Sequence, residues 1–251
     1  MIQAMSLTAI RIVLVEPSHP GNIGAVARAM KNMALSELVL VRPKAFPHAE
    51  ATARASGADD VLAKARVVDS VVDAVSDCGF VAATTSRPRD QNFRALDVHE
   101  AAQRIFEMTV RGPAAVLFGA ERTGLTNEEL ALAHLLIRIP ANPEYPSLNL
   151  AMAVQLVCYE LFRAAGSPAS DRPLSESPVP LAPGADMERF YAHLQEVMDE
   201  VDFRDRTLSG GHLMTRIRRL FQRCEMDQNE VNILRGLLTS VQSKRRPAGK
   251  P

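Results

Sequence analysis

The sequence predicts an α/β fold built on a parallel sheet, and three observations predict it. Short apolar runs recur at about 10–15, 37–41, 66–68, 80–84, 114–118 and 135–139, with helical spacing between them. Strands that alternate with helices are the signature of parallel strands joined by crossovers. Three of the runs end in polar loops containing Gly or Pro that lead straight into helix starts. In open α/β sheets ligands bind outside the carboxyl ends of the strands, so these loops are expected to converge on one crevice. Finally, 251 residues with 47% hydrophobic content support one sizeable core and a smaller unit.

The first loop follows the strand Ile10 to Val15 and runs Glu16-Pro17-Ser18-His19-Pro20-Gly21-Asn22-Ile23-Gly24, with Ala25 to Arg28 completing the motif. Asn22 is expected to cap the helix and Gly24 to allow close backbone approach. Arg28 is expected one turn beyond Gly24 on the same face. His19 reads as a turn residue. The second loop follows Ala114 to Phe118 as Gly119-Ala120-Glu121-Arg122-Thr123-Gly124-Leu125-Thr126. From Thr126, the order Thr-Asn-Glu-Glu reads as a capped helix start. Glu121 has a plain alternative as a loop residue paired with Arg122.

The third loop follows Leu135 to Ile139. Pro140, Pro143 and Pro146 restrict it before a helix opens at Ser147-Leu148-Asn149. A loop of this kind puts backbone N–H groups and a helix N-terminus beside a ligand. Ser147 as a simple N-cap is an equally open reading. The helix that follows, to about Ala165, carries Met152, Val154, Leu156, Val157, Leu161 and Phe162, and is expected to be buried on nearly every side.

The rest of the chain divides by composition. Residues 1–165 hold 16 Lys and Arg against 17 Asp and Glu, and the whole chain is neutral, so no global charge draws it to nucleic acid. Residues 166–184 include prolines 168, 173, 178, 180 and 183 and read as a semi-rigid linker. Residues 185–251 read as a small helical module. Asp186 to Val201 has helical spacing, and a helix from Asp227 to about Gln242 offers Val231, Leu234, Leu237 and Leu238 for packing. Between them Arg204, Arg206, Arg216, Arg218, Arg219 and Arg223 are opposed in sequence only by Asp205. That cluster is either a solvated face or a set of phosphate contacts.

Cys78, Cys158 and Cys224 stand far apart with no C-x-x-C pair, which predicts neither a disulfide framework nor a zinc site. No His/Cys/Asp cluster has metal-ligand spacing. The N-terminus lacks a signal-peptide pattern and no apolar stretch is long enough to span a bilayer, so a cytoplasmic location is expected. A dinucleotide-binding reading would need G-x-G-x-x-G after a strand, and Gly21-Asn22-Ile23-Gly24 is a poor substitute.

The three motifs together carry a resemblance. Asn22, Gly24 and Arg28, then Phe118 to Leu125, then Ile139 to Asn149 resemble the three motifs of the SPOUT RNA 2′-O-ribose methyltransferases. The wording GNIGAVARAMKNM, LTNEEL and NPEYPSLNLAMAVQ is most similar to the bacterial branch that methylates cytidine or uridine 32 of the tRNA anticodon loop. The resemblance covers residues 8–165 and, less specifically, the tail. It implies an α/β domain with a deep trefoil knot, S-adenosylmethionine held in the knot without metal, tRNA as substrate, and a homodimer whose interface includes the long apolar helix. Deep knots are rare exceptions to unthreaded topology.

The resemblance also implies roles. Arg28 would position or activate the ribose hydroxyl or hold the adjacent phosphate, with Asn22, Glu121, Ser147 and Asn149 around it. Thr84, Thr85 and Ser86 match the donor-contacting stretch. Gly119, Ile139, Pro146, Ser147 and Leu148 match the adenosine pocket. By position and charge, and not by the resemblance, Arg87 and Arg89, which follow the donor-contacting stretch, are expected to meet RNA, as are Arg216, Arg218 and Arg219 of the tail cluster. The same motifs would serve an enzyme acting on ribosomal RNA or another tRNA position, or a silent RNA-binding protein of this class.

Overall fold

The structure, a computed structural model, describes residues 6–85, 95–166, 179–203 and 213–245. Seven strands form one sheet: β1 (Ile10–Val15), β2 (Glu37–Val41), β3 (Arg66–Val68), β4 (Phe80–Thr84), β5 (Ala95–Asp97), β6 (Ala114–Phe118) and β7 (Leu135–Arg138). Their order is β3-β2-β1-β6-β4-β7-β5, and every pairing is parallel. The six apolar runs become six of these strands. The seventh, β5, is an edge strand of three residues, too short and too exposed to leave an apolar signal.

Alternation along β1 divides the core. Ile10, Ile12 and Leu14 face a cluster completed by helices α1 (Pro20–Asn32), α2 (Ala49–Ala55), α3 (Asp59–Lys64), α5 (Val98–Met108) and α7 (Leu150–Gly166). Val13 and Val15 face the other layer, covered by α4 (Val71–Val75) and by Leu125, Leu130 and Ala133 around α6 (Asn127–Leu130). Strands buried on both faces need apolar residues at consecutive positions, which explains the unbroken runs. Arg11 is the exception. Its guanidinium donates to the Ala74 carbonyl at 2.7 Å and to both Asp77 oxygens at 2.6 and 2.8 Å, so its charge is paired within the layer.

Two local expectations change. The α1 cap is His19, whose Nδ1 accepts from the Gly21 N–H, with Pro20 at the first helical position; Asn22 therefore lies within the first turn and its side chain is released for other contacts. At Gly24 a Cβ would stand 2.0 Å from the Ala51 carbonyl oxygen. The close approach that Gly24 permits is thus that of α2 against α1. Arg28, one turn on, is exposed while Gly24 is buried.

The long apolar helix α7 also departs from expectation. Leu150, Val154, Val157, Cys158 and Leu161 are buried, but Met152 is 63% exposed, Leu156 41% and Phe162 47%. The second apolar stripe belongs to the opposite side of the helix and is left uncovered by the described residues. Composition alone cannot separate a helix buried in its own core from one with a face left for a partner.

The tail comprises α8 (Gly184–Glu200), α9 (Leu213–Gln222) and α10 (Gln228–Arg245), built round Met187, Phe190, Tyr191, Met226 and Val231. Leu234 and Leu238 pack against that cluster, whereas Leu237, expected there, is 61% exposed on the other side of α10. Of the expected linker, residues 167–178 lie outside the described residues. Its last part is not free: the Leu181 N–H donates to Arg111 carbonyl at 3.2 Å, and the Leu181 side chain joins the main core. The N–H groups of Gly184 and Ala185 bond the carbonyls of Cys78 and Ser76, and Glu225 pairs with Arg104. These contacts lie just before β4 and β6 or beside α5. The tail therefore docks toward the amino ends of the strands.

Candidate active site

Strand order explains why three distant loops meet. From β1 the chain moves outward to β2 and β3, then crosses back to place β6 beside β1, with β4 and β7 beyond. The carboxyl ends of β1, β6, β4 and β7 are thus successive neighbours, at the point where strand order reverses.

Beyond β6, β4 and β7 lies a cleft of about 440 Å³, a size suited to a nucleoside-like ligand. Thr84 and Thr85, Gly119 to Leu125, Ile137, Ile139 and Pro146 to Leu148 line it. Thr84 is fixed by donating from Oγ1 to the Leu117 carbonyl at 3.0 Å, and the Thr85 N–H reaches the Ile137 carbonyl. Gly119 is a steric requirement. A Cβ there would stand 2.3 Å from the carbonyl carbon of Gly124 and 2.4 Å from the Leu125 nitrogen. The loop closes on itself at this point, with Ala120 bridged to Gly124 and Gly124 at φ +70°. Thr126 and Glu129 then form the expected capping box.

A polar chain stands beside the cleft. The Glu121 carboxylate accepts from the Ser18 N–H and Ser18 Oγ, each at 3.0 Å, and from Asn22 Nδ2 at 3.0 Å. Asn22 Oδ1 in turn accepts from Asn149 Nδ2 at 3.2 Å. Asn149 Oδ1 accepts from the Ala151 N–H at 2.9 Å, so Asn149 caps α7 and Ser147 is left exposed on the cleft wall. Burial pushes the Glu121 carboxyl up, but the donors from Asn22, Ser18 and its own backbone together outweigh it and hold it below the usual carboxylate range. Among the described residues its side-chain partners are Ser18 and Asn22, not Arg122.

On the far side of the Asn22–Asn149 pair lies an open groove between α1, α2 and α7, lined by His19, Ala25, Glu50, Arg54, Met152 and Leu156 among others. Leu148 borders both spaces. The structure thus brings Asn22, Glu121, Ser147 and Asn149 together beside the cleft formed by Thr84, Thr85, Gly119, Ile139, Pro146 and Leu148. Arg28 is exposed on α1 and lines neither the cleft nor the groove. Ser86 and Arg87, with Arg89, lie outside the described residues. Arg216 is exposed, whereas Arg218 donates to both Glu188 oxygens, at 2.5 and 2.8 Å, and lies 4.3 Å over the Tyr191 ring. Arg219 is half-buried. Among the described residues no group of His, Cys, Asp and Glu could hold a metal ion, and no helix is long and apolar enough to cross a membrane.

Sequence reasoning missed Ser18. It lies 103 positions from Glu121, and nothing in a single sequence links them.

Known proteins match this architecture. Residues 9–159 match the model of the SpoU rRNA Methylase family, and residues 185–250 match the TrmJ C-terminal domain of tRNA methyltransferases. The tRNA (cytidine/uridine-2'-O-)-methyltransferase TrmJ of Pectobacterium atrosepticum is 47% identical over 239 residues, covering 93% of this chain and 96% of the relative. The tRNA (cytidine/uridine/adenosine-2'-O-)-methyltransferase TrmJ of Pseudomonas aeruginosa is 45% identical over 244 residues, covering 94% and 95%. The crystal structure of TrmJ from Z. mobilis superposes with a TM-score of 0.81 at 37% identity, covering 92% of this chain and 98% of that one. The chain belongs to the SpoU rRNA Methylase family and carries a TrmJ C-terminal domain at its tail.

Proposed function

We propose that the protein transfers the methyl group of S-adenosylmethionine to a ribose 2′-hydroxyl of tRNA, at cytidine or uridine 32 of the anticodon loop. The observation that carries this reading is the placement of the Ser18–Glu121–Asn22–Asn149 chain beside a nucleoside-sized cleft. The names of the relatives and the TrmJ tail domain favour tRNA over ribosomal RNA. Threading of the loops after β6 and β7 into a trefoil knot belongs to the same proposal.

The residues present fit the donor. Gly119 lets the loop after β6 fold tightly onto Gly124 and Leu125 and so shapes the cleft wall, Thr84 and Thr85 offer polar groups at the end of β4, and Leu130, Ile137 and Leu148 supply apolar walls. When bound, S-adenosylmethionine supplies a methyl group already activated on sulfur. The chain must then hold the ribose oxygen in line with that methyl and stabilise the oxygen as its proton leaves. Arg28 is assigned the second task. Its guanidinium acts as a fixed positive charge toward the developing alkoxide and not as a base. Two copies joined through the exposed α7 stripe and the adjoining groove would cover Met152, Leu156 and Phe162 and bring Arg28 beside an interface. An apolar stripe of this kind suits an obligate dimer.

The test is methyl transfer from labelled S-adenosylmethionine to tRNA transcripts bearing each of the four bases at position 32, with chelator present. Transfer to the C and U transcripts, read as 2′-O-methyl nucleoside, is expected. Label appearing on ribosomal RNA fragments and not on tRNA would overturn the substrate assignment.

The arginines of the tail separate under the structure. Arg216→Ala is expected to weaken tRNA binding and to make the salt dependence of binding shallower by about one unit, as loss of one phosphate contact does. Arg218→Ala breaks the Glu188 pair and uncovers Tyr191, so it is expected to lower tail stability as well. Binding titrations at several salt concentrations, with a thermal melt of each variant, check both. An unchanged slope for Arg216→Ala makes that arginine a solvated residue.

A further inference from the structure

We propose that Ser18 is a positioning residue for methyl transfer: it pins the Glu121 carboxylate so that Asn22 and Asn149 are both held with amide N–H groups available to the acceptor ribose. This rests on the proposed function and adds a residue to its machinery.

Hydrogen-bond valence fixes how the two amides are turned. An ionised carboxylate only accepts hydrogen bonds, so the Asn22 amide must turn its NH2 group toward Glu121. Asn22 Oδ1 is then committed to the other side, where it requires a donor, and Asn149 can meet it only with its own NH2. Asn149 Oδ1 is left facing the first turn of α7, where the Ala151 N–H occupies it. One charge at Glu121 thus sets the orientation of two amides in series. Each amide nitrogen has a second N–H beyond these bonds, and both residues line the groove next to the donor cleft. Donors placed there suit an oxygen that is losing a proton.

Ser18 is what holds the start of the chain. It supplies two of the three donors that other residues give Glu121: its hydroxyl on Oε2 at 3.0 Å, and its backbone N–H, nearer Oε2 at 3.0 Å than Oε1 at 3.3 Å. Oε1 is thereby turned to Asn22. The hydroxyl is replaceable without disturbing the backbone N–H, so its share can be read separately. Among the described residues, the titratable or charged groups beside this hydrogen-bonded series are Arg122 on the cleft and His19, Glu50 and Arg54 on the groove.

The experiment compares wild type, Ser18→Ala and Ser18→Thr in full-length protein. Losing a hydrogen bond to a charged group is expected to lower kcat in Ser18→Ala by about tenfold. KM for tRNA and Kd for S-adenosylmethionine should stay within about twofold. Fewer donors raise the Glu121 pKa, so activity that requires the carboxylate should be lost at a higher pH as the solution is acidified. The acid limb of the kcat profile therefore moves up in Ser18→Ala and returns toward wild type in Ser18→Thr, which keeps the hydroxyl. Unchanged kcat and unchanged acid limb in Ser18→Ala overturn the proposal. So does a loss of activity that tracks a loss of donor binding or melting temperature, or that Ser18→Thr does not repair. Absence of transfer by wild type would instead overturn the methyltransferase reading on which the role of Ser18 depends.

Discussion

Arg28→Ala is expected to lower methyl transfer by about 10²–10³-fold, the usual cost of removing one preorganised electrostatic partner of a developing oxyanion. Donor affinity should hardly change. Arg28 is exposed on α1 and does not line the cleft bounded by Gly119, Ile139 and Leu148, so removing it leaves the donor's surroundings intact. Its charge matters mainly as the ribose oxygen becomes negative, and the loss should therefore fall on kcat. Arg28→Lys should recover only part of the activity, because an ammonium cannot reproduce the planar fork of a guanidinium. Single-turnover kinetics and calorimetry with S-adenosylhomocysteine check the two halves. A variant that loses donor binding and activity in parallel would place Arg28 on the wrong side of the site.

Gly119→Ala should have the opposite profile. Its Cβ would meet main-chain atoms of Gly124 and Leu125 at 2.3 and 2.4 Å, and backbone cannot rotate away as a side chain does. The turn from Ala120 to Gly124 must open, which shifts the wall of the cleft. Donor affinity is expected to fall by at least about 100-fold, while overpacking lowers global stability by only about 1–3 kcal/mol, because the loop lies outside the sheet. Calorimetry for donor binding and chemical denaturation for stability separate these effects. Tight donor binding by this variant would move the donor site away from the loop after β6.

The sequence made the α/β class legible because strands buried on two faces must be apolar at consecutive positions. It made the three loops legible because Gly, Pro and capping residues mark where strands end and helices begin. It could not show that Ser18 meets Glu121, since that contact depends on β1 and β6 being neighbours while β2 to β5 lie between them in the chain. His19 hid its capping role because a ring nitrogen is an unusual cap beside the stronger candidate Asn22. The outward stripe of α7 was illegible for a different reason. Met152, Leu156 and Phe162 have the composition of a core, whether the core belongs to one chain or is shared by two. The arginines of the tail read as a single basic cluster until folding set Glu188 against Arg218.

A single oxygen atom tests whether this site methylates a ribose hydroxyl of tRNA. A tRNA transcript with 2′-deoxycytidine at position 32 retains the base, the phosphates and the overall shape but lacks the acceptor oxygen. Incubated with the protein and labelled S-adenosylmethionine, it should bind with affinity close to that of the unmodified transcript and accept no label, while the unmodified transcript accepts one methyl group per molecule. Equal incorporation into both transcripts would show that the methyl group goes to a base or to another nucleotide and not to the 2′-hydroxyl at position 32.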